Sequence, residues 1–436
     1  MTKIIYFSAW EFFLVTLFCL FSPSLSAEKA EVQINSLVDA VTPKVQAWRR
    51  DIHQHPELGN REFRTAKLVA EHLRKLGMEV QTKVAHTGVV AILRGAKPGP
   101  VVALRADMDA LPVSEQVDLP FASKVKAIYN GNEVGVMHAC GHDVNTAIMM
   151  GVAEVLHGLR NELAGSVKFI FQPAEEGPPE GEEGGAQLMI KEGVLTDPSP
   201  EVIFGLHTFP APPGTLGYRS GGLLAGADSL RIHVQGKQTH GALPWAGIDP
   251  VVVASQIVLA LQMIPSRQLN STLAPTIISI GSIHAGLREN IIPDSAEMRG
   301  TIRILEPKIR EDVVQRIRRT AVKIAESSGA TATVSITPYA PVTYNDPELT
   351  AKMLPTLRRV AGAGLIVTPP LTPSEDFSFY QELIPGLYIL LGINAKGVAS
   401  DEAATNHSPF YYVNEDTFPL GVRVLSSLVV DYLKEK

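Results

Sequence analysis

Four short stretches hold side chains with little reason to lie in an ordinary core: Met137-His138-Ala139-Cys140-Gly141-His142-Asp143, Pro173-Ala174-Glu175-Glu176-Gly177, His207-Thr208-Phe209 and Asn406-His407-Ser408. Together they supply a thiol, four imidazoles and an adjacent pair of carboxylates. Burying such groups without partners costs several kcal/mol each, by rough transfer estimates. Thiolate, neutral imidazole and carboxylate are also the ligand types of zinc and its neighbours, so the chemistry they imply is metal-dependent hydrolysis. Gly141 relaxes the backbone so that Cys140 and His142, two residues apart, can face one ion. A cysteine nucleophile activated by a neighbouring imidazole is the rival reading of Cys140. It leaves the glutamates and the remaining histidines without a role. In the Glu175-Glu176 pair, one carboxylate can bind metal while its neighbour takes the proton of an attacking water. Adjacent carboxylates otherwise repel and turn to solvent, which is the reading for Glu180, Glu182 and Glu183 nearby.

The elements around these residues read as an α/β fold. Apolar runs at Gly88 to Leu93, Val101 to Leu104, Val167 to Phe171, Val202 to Leu206 and Leu387 to Leu391 are strand-like, with a helical pattern from Thr146 to Leu159. Asp107 and Asp109 follow one of these strands, Glu175 and Glu176 the next, and His207 the third. Ligands of open α/β sheets bind beyond the carboxyl ends of the strands. Asp107 and Asp109 share a face if extended and are suited to orienting a ligand histidine. Two helices are expected at the start, one opening at Thr42-Pro43 with Val45, Trp48 and Ile52 at helical spacing, the other running past Phe63 to Gly77.

From Ser229 to Thr337 the order is strand, helix, strand, strand, helix, strand, a ferredoxin-like arrangement. The expected organisation is therefore a signal segment over 1–27 and a catalytic domain over 28–221 and 340–436, with a mixed sheet covered by helices. The domain inserted over 222–339 would serve as a lid or dimerisation domain.

A chain of 436 residues is too long for one core. A net charge of -6 leaves no basic stripe for nucleic acid and no polybasic membrane patch. Lys3, the apolar run through Phe12 to Phe21 and the small residues before Ala27 read as a secretory signal, too short for a confident membrane span of about 20 residues. The expected location is secreted or periplasmic, without stable membrane association after cleavage. Removal of Cys19 would leave Cys140 as the only thiol, which cannot form an internal disulfide.

The stretches HQHPELGNRE, LRADMDALP, MHACGHD, QPAEEG, GLHTF, THGALPWAGIDP, ENIIPDSAEMRGTIR, SEDFSFY and NHSPFYYV occur in that order along the chain. In this the chain resembles the hippurate hydrolase and auxin–amino-acid conjugate hydrolase branch of the aminoacylase/carboxypeptidase metallohydrolases. The resemblance implies a two-metal site held by Cys140, His142, Glu176, His207 and His407, with Glu175 as general base; Asp109, suited to orienting a ligand histidine, is counted with the catalytic residues. It also implies that His240, from the inserted domain, polarises the scissile carbonyl across a homodimer, and that Asn290 helps hold the substrate. The expected metal is zinc, with manganese, cobalt or nickel also acceptable to these donors. The expected substrate is a small N-acyl amino acid. One departure stands out: Asn145 occupies a position where the family usually has histidine. A secreted binding protein that kept the fold without catalysis is the rival of a different class.

Overall fold

The computed structural model describes residues 23–434. The segment expected as a signal therefore lies largely outside the described residues, and the first helix, Pro23–Gln54, begins upstream of the expected cleavage point.

An eight-stranded sheet forms the centre. In spatial order its strands are Glu79–Val84, Gly88–Arg94, Ala164–Gln172, Lys97–Asp107, Val202–Phe209, Gly386–Gly392, Leu216–Tyr218 and Leu365–Val367. The four central ones run parallel, Lys97–Asp107 between Ala164–Gln172 and Val202–Phe209, with Gly386–Gly392 beyond. Asp107 sits opposite Gln172 in this register, so Asp107, the loop after Gln172 and His207 all emerge at one edge. Alternation divides the sheet's apolar residues between two layers. Val102, Leu104, Phe169 and Phe204 pack under the helices Pro23–Gln54, His142–Gly158 and Phe418–Lys434. Ala103, Ile170, Ile203 and Tyr388 face the opposite layer with Ala186, Met189, Phe377 and Tyr380.

A second, antiparallel sheet has the order Thr276–Ala285, Ser295–Ile304, Gly226–Gln235, Thr331–Ala340 and a core of its own with the helices Pro250–Leu261 and Arg310–Ser327. Asp249 caps the first of these helices by accepting from the Val251 and Val252 amides.

The structure corrects the reading of Thr42-Pro43 as a helix start. Both lie inside the Pro23–Gln54 helix, where the Thr42 hydroxyl donates to the Val38 carbonyl at 2.7 Å. A first-turn proline and an interior proline leave the same local signature, and packing of Ile34, Val38, Val41 and Val45 on the core carries the helix through.

Candidate active site

Cys140 and His142 stand on either side of Gly141, which precedes the His142–Gly158 helix with φ 90°. Only glycine fits there, because a Cβ would lie 2.1 Å from the Thr208 hydroxyl oxygen. The tight turn brings the Cys140 sulfur to 3.6 Å from His207 Nε2. His207 donates through Nδ1 to the Thr208 carbonyl at 2.7 Å, which leaves Nε2 for the cluster. His142 uses its Nδ1 in the same way, donating to the Asp109 carbonyl at 2.9 Å, with the Asp109 carboxylate at 3.2 Å. Its buried Nε2 has no hydrogen-bond partner among the described residues. From the far end of the chain, His407 enters with φ 71° and is pinned by its amide to the Ala139 carbonyl at 2.8 Å. His407 Nε2 lies 2.9 Å from a Glu176 carboxylate oxygen.

Ligand atoms thus converge in three overlapping groups, each within 4.8 Å: Cys140 with His142 and His207, Cys140 with Glu176 and His407, and His142 with Glu175 and Glu176. Two of these groups share the cysteine and two share His142, which is the topology of a site for two neighbouring ions. The orphaned His142 Nε2 and the thiolate-imidazole-carboxylate donor set fit divalent cations.

Asp109 ties the site together, since its second carboxylate oxygen accepts from the Glu176 amide at 2.9 Å while the first meets His142. It acts on both by orienting them. Behind the Glu175-Glu176 turn, Ala174 adopts φ 51° and donates its amide to the buried Glu62 at 2.9 Å. Asn145 holds Asp107 with a hydrogen bond of 2.8 Å, so the unusual asparagine orients a carboxylate next to the cluster.

The site carries excess negative charge. Burial pushes Glu175 well above the usual carboxylate range, helped by Glu375, Glu176 and Asp376. Burial and the Cys140 thiolate raise Glu176 to about 7. Burial would also push the Cys140 thiol up, but the imidazoles of His207 and His142 outweigh it and hold it well below its usual value. Hydrogen bonds to Cys140 and Glu176 raise His407 to about 10. Protons thus occupy the places that cations would take.

A pH dependence follows. A carboxyl raised to about 7, as Glu176 is, contributes stability that is full below its unfolded value and is lost as pH rises through 7. Asp376, also raised to about 7 by burial, behaves alike. The metal-free protein should therefore weaken between about pH 5 and pH 8, while metal favours the ionised forms. The gain in Tm on adding zinc is expected to widen by several degrees across that range in differential scanning calorimetry. A gain that shrinks with rising pH would contradict this charge balance.

Some residues read from the sequence lie elsewhere. His138 is buried but, among the described residues, joins none of the ligating groups and has no hydrogen-bond partner at either nitrogen; its ring lies 6.5 Å from that of His53. Of the two histidines flanking Cys140, only His142 reaches the cluster. His240 lies in a separate two-stranded sheet, where it pairs with Ile291, and the Gly241 amide next to it donates to the Asn290 carbonyl at 2.8 Å. His240 and Asn290 are exposed and neither belongs to a ligating group of their own chain. Sequence reasoning missed Arg105, Glu375 and Asp376. The Arg105 guanidinium is buried and pairs with Asp107, Glu375 and Asp376 at 2.6, 3.0 and 2.6 Å. A charged residue inside the run Val101 to Ala106 was the available signal.

Donors arranged for cations, with a partly buried carboxylate beside them to move protons, define a metal-dependent hydrolase. Residues 103–431 match the model of peptidase family M20/M25/M40, and the chain belongs to that family. It is 42% identical over 396 residues to thermostable carboxypeptidase 1 of Saccharolobus solfataricus, covering 89% of this chain and 96% of that one. It is 38% identical to the IAA-amino acid hydrolase ILR1-like 2 of Arabidopsis thaliana, covering 95% and 92%. The structure of the Bacillus subtilis YXEP protein, described as a dinuclear metal binding peptidase of the M20 family, superposes with a TM-score of 0.76 at 35% identity, covering 91% of this chain and 99% of that one. The protein is an amidohydrolase or peptidase of this metallo-hydrolase family.

Proposed function

We propose that the protein cleaves the amide bond of N-acyl amino acids, releasing a carboxylic acid and a free amino acid. The observation that carries this is Glu175, partly buried beside the five-donor cluster, with a raised affinity for a proton. Cys140, His142, Glu176, His207 and His407 would hold two divalent ions, zinc being the best match to the thiolate. When bound, such ions supply a Lewis acid for the amide carbonyl and make water more acidic. Glu175 takes the proton of the attacking water and delivers it to the leaving nitrogen, while Asp109 keeps His142 and Glu176 in place. The cysteine-nucleophile reading is not favoured, since Cys140 lies among cation-binding donors and Glu175 already supplies a base. A relative that hydrolyses IAA-amino acids supports the N-acyl amino acid class. The N-terminal sequence supports secretion or a periplasmic location.

The 222–339 region is proposed as an inserted lid and dimerisation domain. Its edge strand Thr276–Ala285 has one unpaired side among the described residues and exposes Ile277 and Ile283. The adjoining Pro250–Gln268 stretch is apolar and long enough to cross a membrane by composition. One face of it packs in the core through Val253, Ile257 and Leu261, and the exposed Val252, Leu259 and Met263 suit a second copy. Such a dimer would let His240 and Asn290 serve the partner's site.

The function is tested by loading the protein with zinc or manganese and offering N-acetyl, N-benzoyl and larger aromatic N-acyl amino acids beside unblocked dipeptides. Release of free amino acid from the dipeptides alone would sink the N-acyl reading. For the lid, His240→Ala is expected to keep metal and fold and to lose about 10²- to 10³-fold in kcat. Hybrid dimers with an inactive Glu175→Gln chain should regain activity. No recovery after demonstrated subunit exchange would place His240 outside the partner's chemistry.

A further inference from the structure

The strand Thr331–Ala340 pairs regularly with Gly226–Gln235 until its end, where Asp228 faces Pro338 and Ala227 faces Ala340. Tyr339 is left as an extra residue with no partner across the ladder. A bulge of this kind breaks the alternation of faces and re-aims one side chain. Here it aims the phenol at the loop that carries the glutamate pair: a Cβ built on Gly177, at φ 108°, would lie 3.9 Å from the Tyr339 hydroxyl and near nothing else. Tyr339 remains 58% exposed, and its hydroxyl forms no hydrogen bond with another described side chain. Partial burial, then the carboxylates of Glu175, Asp376 and Glu176, raise the phenol above its ordinary value, so it keeps a hydrogen to donate. Two strands away, on Ser295–Ile304, Arg303 donates to the Ser374 hydroxyl at 3.2 Å, which seats this end of the four-stranded sheet on the loop before Glu375.

The ring of Tyr339 also walls a cavity of about 490 Å³, with Gln187, Arg310, Tyr344 and Phe379 among its other lining residues. That volume is in the range of small-molecule sites, and three aromatic rings face it. Tyr339 itself joins the two places, its ring lining the cavity and its hydroxyl lying toward Gly177 in the loop of the glutamate pair.

We propose that Tyr339 is a substrate-contacting residue: its hydroxyl donates a hydrogen bond to an oxygen of the bound N-acyl amino acid beside Glu175, and its ring forms the wall against which an aromatic acyl group lies in the adjoining cavity. The inference rests on the amidohydrolase reading and deepens it by naming a residue that contacts the substrate and discriminates among acyl groups. An aromatic acyl group gains from stacking against the rings, whereas an acetyl group leaves the cavity to water.

The test uses binding as well as turnover. Zinc-loaded Glu175→Gln protein is titrated calorimetrically with N-benzoylglycine and N-acetylglycine, alone and with Tyr339→Phe or Tyr339→Ala added. Loss of the hydroxyl alone is expected to weaken both probes about tenfold, the effect of one lost hydrogen bond. Loss of the ring is expected to remove the preference for benzoyl over acetyl as well. In the Glu175 enzyme, Tyr339→Phe should lower kcat/KM for both substrates while zinc content and Tm stay at the parent values. Parent-like affinity and kcat/KM in both Tyr339 variants would overturn the proposal while leaving the amidohydrolase reading intact. A parent that binds neither probe, in a protein that hydrolyses neither, overturns that reading and the proposal with it.

Discussion

Glu175→Gln is expected to keep its full complement of metal and to lose turnover by about 10²- to 10⁴-fold, the range for a general acid–base group. Glu176→Gln is expected to lose metal as well as activity. The two neighbours separate by what surrounds them. Glu176 shares a ligating group with Cys140 and His407, and its carboxylate meets His407 Nε2 at 2.9 Å. Glu175 shares no group with either of those residues and instead faces Glu375 and Asp376. Crowded by like charges and partly buried, it holds a proton more tightly than an ordinary carboxylate, as a group that must accept one and pass it on requires. Glutamine keeps the shape and hydrogen-bonding reach of Glu175 but cannot take the proton, so a structural role would survive the change. Plasma-emission metal analysis and steady-state rates on both variants decide the matter. A metal-poor Glu175→Gln protein beside a metal-replete, inactive Glu176→Gln protein would exchange their roles.

Much of the site was legible because its residue types are costly to bury and come in compact runs. Cys140-Gly141-His142 and Glu175-Glu176 announce themselves, and the apolar strands before Asp107, Glu175 and His207 show which edge they reach. The central strands read well for the same reason, since burial on both faces requires unbroken apolar runs. The edge strand Glu79–Val84, mostly exposed, carries no such signal. The helix Pro347–Ala361 was hidden by Pro355 in its interior, although Asp346 caps it by accepting from the Leu349 amide at 2.7 Å. What the sequence withheld at the site was pairing. His138 looks like a ligand by its place in the motif, yet its ring lies beside that of His53, and of the two imidazoles placed two residues either side of Cys140 only His142 meets the cluster. Glu375 and Asp376 gain meaning only from Arg105, about 270 residues earlier, and no local pattern encodes a contact across that separation.

That buried arginine supports the prediction with the largest effect on stability. Arg105 is 1% exposed and donates to Asp107, to Asp376 and to the Gln172 side chain, while Glu375 lies 3.0 Å away. Replacing it by leucine fills some of the space but leaves Glu375 and Asp376 without their guanidinium, and Asp107 with only the imidazoles of His142 and His207. Removing one partner of a buried ion pair typically destabilises by about 3–5 kcal/mol. Here the loss depends on what else supplies positive charge. In the metal-free Arg105→Leu protein only the nearby imidazoles and hydrogen-bond donors oppose the repulsion among these carboxylates, whereas two divalent ions bound at the adjacent cluster would offset more of it. Urea unfolding should therefore show a larger deficit without metal than with it. The pH dependence has a definite sign as well. Asp376 already stands at about 7, through burial and the nearby Glu375, even with Arg105 opposing the rise. Loss of the guanidinium raises it further, and stability carried by a raised carboxyl is lost as pH climbs through its folded value. The deficit should be smaller near pH 6, where protons stand in for the missing charge, than near pH 8. An equal deficit at both pH values, with and without metal, would mean that Arg105 contributes packing alone and that the acidic wall behind the cluster is balanced by other groups.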